Sequence, residues 1–102
     1  MEDINDLVRQ AKDVLQKIHY ITIATSDKNG QPWNSPVSSR FDKKYNFFWA
    51  SWTENQHSKN IKENPKVFVV VYDSTVPEGT GFGVYMKGKA HQLDKENMEE
   101  IK

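Results

Sequence analysis

The chain has 102 residues, and fourteen Lys and Arg balance fourteen Asp and Glu, so the formal net charge is zero. This length predicts a single domain spanning 1–102, and a hydrophobic content of 36% is typical of a globular chain. Balanced charge argues against a nucleic-acid or membrane-surface partner. The longest apolar run, Val67–Tyr72, is too short to cross a bilayer. The chain has no cysteine and an acidic N-terminus unlike a secretory signal, so we expect a cytoplasmic protein without thiolate chemistry.

The first predicted element is an amphipathic helix. Asp3 is its expected N-cap, and Asp6 lies in the first turn, where a negative charge interacts favourably with the helix dipole. Its apolar residues recur at helical spacing, at Ile4, Leu7, Val8, Ala11, Val14, Leu15 and Ile18.

Short apolar runs separated by turns follow this helix. Tyr20–Thr25 is a predicted strand that ends at Asp27–Gly30, a strong hairpin signal because Asn and Gly tolerate positive φ. Trp33–Phe41 is the predicted returning strand, in which Pro36 indicates an edge, a bulge or an irregularity facing a ligand. Tyr45–Ala50 is predicted as a third strand, rich in aromatic residues.

A short helix is predicted after the third strand. Thr53 and Gln56 fit a capping box, and Asn64-Pro65 ends the helix near Glu63. Val67–Tyr72 is a predicted buried strand, and Asp73–Gly83 is a predicted loop. Val84–Leu93 is the fifth predicted strand, and Asp94 is expected to start a last helix just before the sequence ends. Short turns between strands imply antiparallel pairing, so we predict a mainly β, α+β fold.

The junction between the third strand and the short helix is the most suggestive functional feature. Ser51, Thr53 and Ser58 supply hydroxyls, and Lys59 supplies a cation. The first N–H groups of a helix lack internal partners and carry partial positive charge, so this junction suits a phosphate. A capped surface helix with solvated side chains is the commoner explanation of the same pattern.

Other patterns carry less functional weight. Gly79–Gly83 is followed by a strand-like segment, which excludes a dinucleotide-binding fingerprint. The histidines lack metal-ligand spacing, so we expect no metal site; they are His19, His57 and His91. No base adjoins the serines of the second strand, which disfavours a hydrolytic triad; these are Ser35, Ser38 and Ser39. Five aromatic residues suit either a wall for a planar ligand or core packing: Trp33, Phe47, Phe48, Trp49 and Trp52.

Taken together, these segments resemble the pyridoxamine 5'-phosphate oxidase-like, FMN-binding split-barrel proteins. The resemblance covers about residues 4 to 93, and it rests on the order and spacing of four groups of segments. These are Ile21–Thr25 with Asp27–Gly30 and Pro32; Asn34–Val37; Phe47–Ser51 with Ser58–Ile61 and Asn64–Val67; and Gly83–Tyr85 with Gly88 and Ala90.

The resemblance implies an antiparallel split β-barrel with an N-terminal helix and a short helix between strands 3 and 4. It also implies a homodimer with FMN at the interface. The second strand would line the flavin ring through Asn34, Ser35, Pro36 and Val37. The ribityl chain or phosphate would meet Trp49, Ala50 and Ser51. The phosphate itself would be held by Ser58 and Lys59. Family members usually extend further, so a chain ending at Lys102 is expected to be a C-terminally truncated member or a fragment.

The function implied is that of an FMN-dependent oxidoreductase whose substrate and acid–base residues we do not assign. Two alternatives stay open because one fold serves many functions. One is a non-catalytic module that binds a flavin, deazaflavin or haem, or a stress-related binding protein. The other is a structural dimer without a ligand. Oxidation of pyridoxamine phosphate itself is not expected, because we recognise no residues for binding that substrate.

Overall fold

A computed structural model describes residues 4–93, and within them the chain forms two helices and six strands. The helices are α1 (Ile4–Lys17) and α2 (Gln56–Glu63). The strands are β1 (Tyr20–Ser26), β2 (Pro32–Ser38), β3 (Arg40–Phe41), β4 (Phe47–Phe48), β5 (Lys66–Tyr72) and β6 (Gly83–Lys89). The helix at the start of the chain and the antiparallel α+β architecture are as predicted. None of the helices within 4–93 has the length and apolar character needed to traverse a lipid bilayer.

The four long strands form one antiparallel sheet in the order β2-β1-β5-β6, and β3 and β4 form a second, two-stranded sheet. β1 and β2 pair over seven positions, from Tyr20 opposite Ser38 to Ser26 opposite Pro32. Their turn forms because the Asp27 carboxylate accepts the backbone N–H groups of Asn29 at 2.8 Å and Gln31 at 2.9 Å. Gly30 supplies the positive φ of 83° that this turn requires.

One face of the four-stranded sheet carries the core. Alternate residues of β1 point to this face, and Ile23 and Val71 are wholly buried there. Leu15 brings α1 onto the same face, and Asn60 brings α2 onto it by donating a hydrogen bond to Thr25 Oγ1. The buried members of this apolar cluster are Leu15, Ile21, Ile23, Val37, Val69 and Val71.

The opposite face of this sheet, which we call the open face, is uncovered within the described chain. Register places Thr22, Val70 and Tyr85 in one row across it, and Ala24 and Phe68 in the next. Phe68 and Tyr85 are diagonal neighbours with ring centroids 6.3 Å apart. The aromatic side chains of this face are 39% to 69% exposed, and they are Tyr20, Phe68, Tyr72 and Tyr85.

The prediction of one continuous second strand over Trp33–Phe41 is wrong. β2 ends at Ser38, and Ser39 is buried with its N–H donated to the His19 carbonyl at 2.8 Å. The chain then enters the two-stranded sheet, where Arg40 and Phe41 pair with Phe48 and Phe47. The segment predicted as one strand therefore contributes to two sheets.

The predicted third strand, Tyr45–Ala50, is also too long, since only Phe47–Phe48 is strand. Its first residues belong to a turn instead. The Asp42 carboxylate accepts the backbone N–H groups of Lys44 and Asn46 at 2.9 and 3.0 Å. Tyr45 lies between them at a φ of 62°, a left-handed conformation that a strand cannot contain.

The short second helix was predicted correctly, but its capping box is wrong. The N-cap is Asn55, which makes no side-chain capping hydrogen bond, and Thr53 lies in the preceding turn. The Gln56 amide instead donates to Asn60 Oδ1 at 2.8 Å, one turn further along the helix. The Gln56 side chain therefore hydrogen-bonds a side chain four residues further along the helix instead of capping the helix start.

The last strand is shorter than predicted, ending at Lys89 rather than Leu93. Its partner β5 ends its own pairing at Lys66, opposite Lys89, so no neighbouring strand is left to continue the ladder. Ala90 follows buried, with its N–H donated to the Pro65 carbonyl at 2.8 Å. The loop predicted at Asp73–Gly83 is confirmed up to Phe82. The predicted cap at Asp3 and the helix predicted from Asp94 lie outside the described residues.

Candidate functional site

A cleft of about 1000 Å³ opens between the two-stranded sheet, α2 and the ends of β5 and β6. This volume is at the upper end of the usual range for small-molecule and cofactor sites. Aromatic rings form one side of it, from Tyr45, Phe47, Phe48 and Trp49. Hydroxyl groups form another part of its lining, from Ser38, Ser51, Thr53 and Ser58. Arg40, Lys87 and Lys89 also line it.

The aromatic side follows from the alternation of β4 and the turn before it. Phe47 and Trp49 pack against the core cluster, whereas Phe48 does not, because successive side chains of an extended chain point to opposite sides. Phe41 stacks on Tyr45 at 5.3 Å with an interplanar angle of 15°. Of the five aromatic residues that suited either a ligand wall or core packing, Trp33 and Trp52 do not line the cleft, and Trp52 is 79% exposed.

The predicted phosphate residues divide between the cleft and a smaller hollow beside it. Ser51 and Ser58 line the cleft, together with Trp49 and Ala50. Lys59 lines only the hollow, which has a volume of about 420 Å³. Its Nζ lies 3.7 Å from the Glu54 carboxylate, and both side chains are exposed. An exposed pair of this kind is weak, so it leaves the ammonium able to exchange partners.

The predicted ring-lining residues of β2 lie away from this cleft in the single chain. Val37 is buried in the core, and Ser35 is half-buried on the same face of the sheet. Asn34 and Pro36 are exposed, and register places them on the open face opposite Ala24 and Thr22. The structure therefore brings Trp49, Ala50, Ser51 and Ser58 together but separates Asn34 and Pro36 from them.

His57 is a candidate site residue that sequence reasoning missed. It is 6% exposed, with its Nδ1 3.2 Å from Ser35 Oγ and its Nε2 2.9 Å from Ser51 Oγ. This imidazole joins a predicted ring-lining residue to a predicted phosphate residue. Burial lowers the pKa of His57 below its ordinary value of 6.5, because a charged ring loses its hydration there.

A line of polar side chains on α2 holds that helix against the sheet. Asn60 Nδ2 donates to Thr25 Oγ1 at 3.0 Å, and Asn64 Nδ2 donates to Ser26 Oγ at 3.0 Å. His57 and Asn60 are three residues apart on one face of α2, and Asn64, the C-cap, continues the same line toward the sheet. That spacing is the sequence signal that would have drawn His57 into the predicted site.

The arrangement is suited to binding an organic phosphate with an aromatic portion. Hydroxyls and the start of a helix offer hydrogen-bond donors, and the adjoining aromatic rings offer a surface for stacking. A metal ion finds less support, since no group of three His, Asp or Glu side chains within 4–93 is placed to hold one.

Solved structures with the same fold extend these observations. HutZ, a heme storage protein from Vibrio cholerae, aligns over 93% of this chain and 70% of its own, with 20% identity and a TM-score of 0.79. A protein of unknown function from Agrobacterium tumefaciens aligns over 98% of this chain and 44% of its own, at 18% identity and a TM-score of 0.78. A heme binding protein from Mycobacterium smegmatis aligns over 93% of this chain and 40% of its own, at 15% identity and a TM-score of 0.76.

At such low identity these structures establish the fold and no more. No curated protein sequence matches the chain significantly. A family model described as pyridoxamine 5'-phosphate oxidase, however, matches residues 7–102, which is nearly the whole chain. This agrees with the segments that carried the resemblance in the sequence and with the antiparallel sheet and two helices described above. The chain therefore belongs to the pyridoxamine 5'-phosphate oxidase family.

Proposed function

We propose that this protein binds FMN, with the flavin phosphate at the start of α2, and acts as a flavin-dependent oxidoreductase. The observation that carries the proposal is the cleft that joins the hydroxyls of Ser51 and Ser58 to an aromatic side. A bound flavin would supply the hydride or electron transfer, and the protein would bind and orient it.

The phosphate end of the site is the better supported part of the proposal. Ser51 and Ser58 offer hydroxyl donors to phosphate oxygens, and the first turn of α2 adds its partial positive charge. Lys59 is exposed, and among the described residues its ammonium contacts the Glu54 carboxylate at 3.7 Å. Its flexible side chain is able to leave Glu54 for a phosphate, which carries more charge than a carboxylate.

The ring end of the site requires a second copy of the chain in this proposal. Asn34 and Pro36 lie on the open face with the exposed rings of Phe68 and Tyr85. A contiguous exposed apolar surface of this kind commonly marks an interaction site. We propose that the open face of one copy packs against its partner in a homodimer, the assembly that the family resemblance implies, so that Asn34 and Pro36 of β2 approach the partner's cleft.

Titration of the purified protein with FMN tests the proposal through quenching of flavin fluorescence. Lys59→Ala should weaken FMN binding by about 1.5–3 kcal/mol, since one charge-assisted contact is lost. Lys28→Ala, on the β1–β2 turn, is the matched control and should bind FMN normally. Protein that remains colourless and ignores micromolar FMN would refute the proposal. Unchanged affinity in Lys59→Ala would place the phosphate elsewhere.

Haem binding is the second candidate, and one observation favours it. His91 is exposed and lines the cleft, so its imidazole is accessible to an iron, and two structures of this fold are described as heme storage and heme binding proteins. Both ring nitrogens of His57 are already engaged by serines. Titration with haemin should then produce a Soret band. Its wavelength should shift in His91→Ala and stay that of the unmodified protein in His19→Ala. The absence of any Soret change in the unmodified protein would exclude this function.

A further inference from the structure

We infer that His57 is a positioning residue that turns the Ser51 hydroxyl proton toward the cleft, so that the site selects a ligand oxygen able only to accept hydrogen bonds. The inference rests on the proposed phosphate site, and it defines the chemistry by which that site would recognise its ligand. It follows from a chain of four side chains that connects β2, α2 and the cleft: Trp33, Ser35, His57 and Ser51.

The direction of the chain is fixed at its first member. Trp33 Nε1 donates to Ser35 Oγ at 3.0 Å, and an indole N–H can only donate. The single proton of the Ser35 hydroxyl is therefore free for another acceptor. His57 Nδ1, 3.2 Å away, is the one acceptor that the described residues place within hydrogen-bond distance of that hydroxyl. Ser35 thus donates to Nδ1, which must be unprotonated.

The tautomer of His57 then orients Ser51. A neutral imidazole with a bare Nδ1 carries its proton on Nε2, and that N–H donates to Ser51 Oγ at 2.9 Å. Since Ser51 accepts this bond, its own proton is left for a third partner, and Ser51 lines the cleft. A doubly protonated ring would also donate through Nε2, so protonation leaves the orientation of Ser51 unchanged.

The reverse direction leaves a proton without an acceptor. If Nδ1 carried the proton, Ser35 would accept from both Trp33 and His57, and its own proton would have no acceptor among the described side chains. Ser51 would then donate to Nε2 and present only lone pairs to the cleft, which suits a ligand hydroxyl or amide. The observed chain instead suits a phosphate, whose oxygens accept hydrogen bonds.

Burial of the imidazole limits the access of water to its two ring nitrogens. His57 is 6% exposed, and a buried polar group that loses its partner is left with a substantial desolvation penalty. The ring is further fixed because α2 is held to the sheet at Asn60 by its bond to Thr25. The orientation of Ser51 is accordingly a property of the folded chain before any ligand arrives.

Comparing FMN with riboflavin, which lacks the phosphate, separates this role from a structural one. Ser51→Ala should weaken FMN binding about fivefold to tenfold and leave riboflavin binding unchanged. His57→Leu should do the same, and the double variant should bind FMN no more weakly than Ser51→Ala alone. His57→Gln, whose amide N–H can reach Ser51, should recover most of the affinity. Multiplicative losses in the double variant, or equal losses for riboflavin, would overturn the inference.

The tautomer provides a test that does not depend on flavin. Nitrogen-15 NMR of the labelled ligand-free protein should show the His57 proton on Nε2, and Ser35→Ala should make Nδ1 protonation accessible. A proton on Nδ1 in the unmodified protein would overturn the inference even if FMN binds. If FMN fails to bind but the proton lies on Nε2, the proposed function fails and the orientation of Ser51 stands. Inorganic phosphate, added to the same sample, should then shift the resonances of Ser51 and His57. Unchanged resonances would refute the inferred selectivity for phosphate.

Discussion

Replacing Asn60 with alanine tests how α2 is fastened to the sheet. Asn60 is 3% exposed, and its amide bridges two elements. Nδ2 donates to Thr25 Oγ1 at 3.0 Å, and Oδ1 accepts from Gln56 Nε2 at 2.8 Å. Alanine removes both bonds and leaves the Thr25 hydroxyl, which is 4% exposed, without its donor.

The expected loss can be assembled from these contacts. A hydrogen bond contributes about 1 kcal/mol net, and a buried group left without its partner costs about 1–3 kcal/mol more. Gln56 is exposed, so its amide turns to water at little cost. Thr25 keeps only a long bond of 3.5 Å to the Trp33 carbonyl. We therefore expect Asn60→Ala to lower the free energy of unfolding by about 2–4 kcal/mol.

Urea unfolding at constant pH measures this loss, and thermal melting should show a midpoint lower by about 10 to 25 °C. Asn64→Ala is the matched control, because it removes the same group from the C-cap of α2, a half-buried site, and should cost about 1 kcal/mol. Adding Thr25→Val to Asn60→Ala should recover stability, since the orphaned hydroxyl is removed. Equal losses in Asn60→Ala and Asn64→Ala, or full additivity with Thr25→Val, would refute the reasoning.

Three further predictions concern charge and association. The Lys17 ammonium, followed by hydrogen bonds from Thr75, lowers the pKa of Asp73 to about 2, so Lys17→Met should raise that pKa toward 3.8. Carbon-13 NMR measures it, and an unchanged value would assign the effect to Thr75 alone. Burial lowers the pKa of His57 below 6.5, so, as the pH falls, the unfolded chain is protonated at this residue before the folded chain is. The free energy of unfolding should therefore fall as the pH drops from 7.5 to 5.5, which urea unfolding midpoints measure. His57→Gln should remove part of that fall. If the variant loses as much stability as the unmodified protein, His57 is not the source. Phe68→Glu should convert the proposed dimer to monomer in sedimentation experiments, and a wild-type chain that already sediments as a monomer would refute the dimer.

Periodicity predicted most elements of this fold. The helical spacing of apolar residues in α1 and the alternation in β1 each place a buried side chain where the structure has one, at Leu15 and Ile23. The hairpin turn at Asp27–Gly30 was also predicted, because Asp, Asn and Gly favour turn conformations through local interactions alone. Of the three alternatives that Pro36 indicated, an edge, a bulge or an irregularity facing a ligand, the structure shows the edge strand.

The parts that sequence reasoning missed depend on contacts between distant residues. The break between the two sheets is fixed by Ser39 bonding to His19, twenty positions away, which no local pattern reports. His57 reaches Ser35 across 22 positions, so its place in the site emerges only when α2 docks on the sheet. The continuous apolar run Val67–Tyr72 predicted a buried strand, but burial alternates along β5, and Phe68 is 39% exposed on the open face.

The two prolines of β2 have a consequence for how this sheet meets other chains. Pro32 and Pro36 are four residues apart, so their ring nitrogens lie on the same side of an edge strand. Ser39 donates its N–H toward β1, which shows that odd-numbered residues supply the paired side and that the prolines interrupt the free edge. A strand arriving at that edge would find donors only at Asn34 and Ser38. β2 therefore resists strand addition and amyloid-like aggregation, and replacing both prolines with valine should remove that protection.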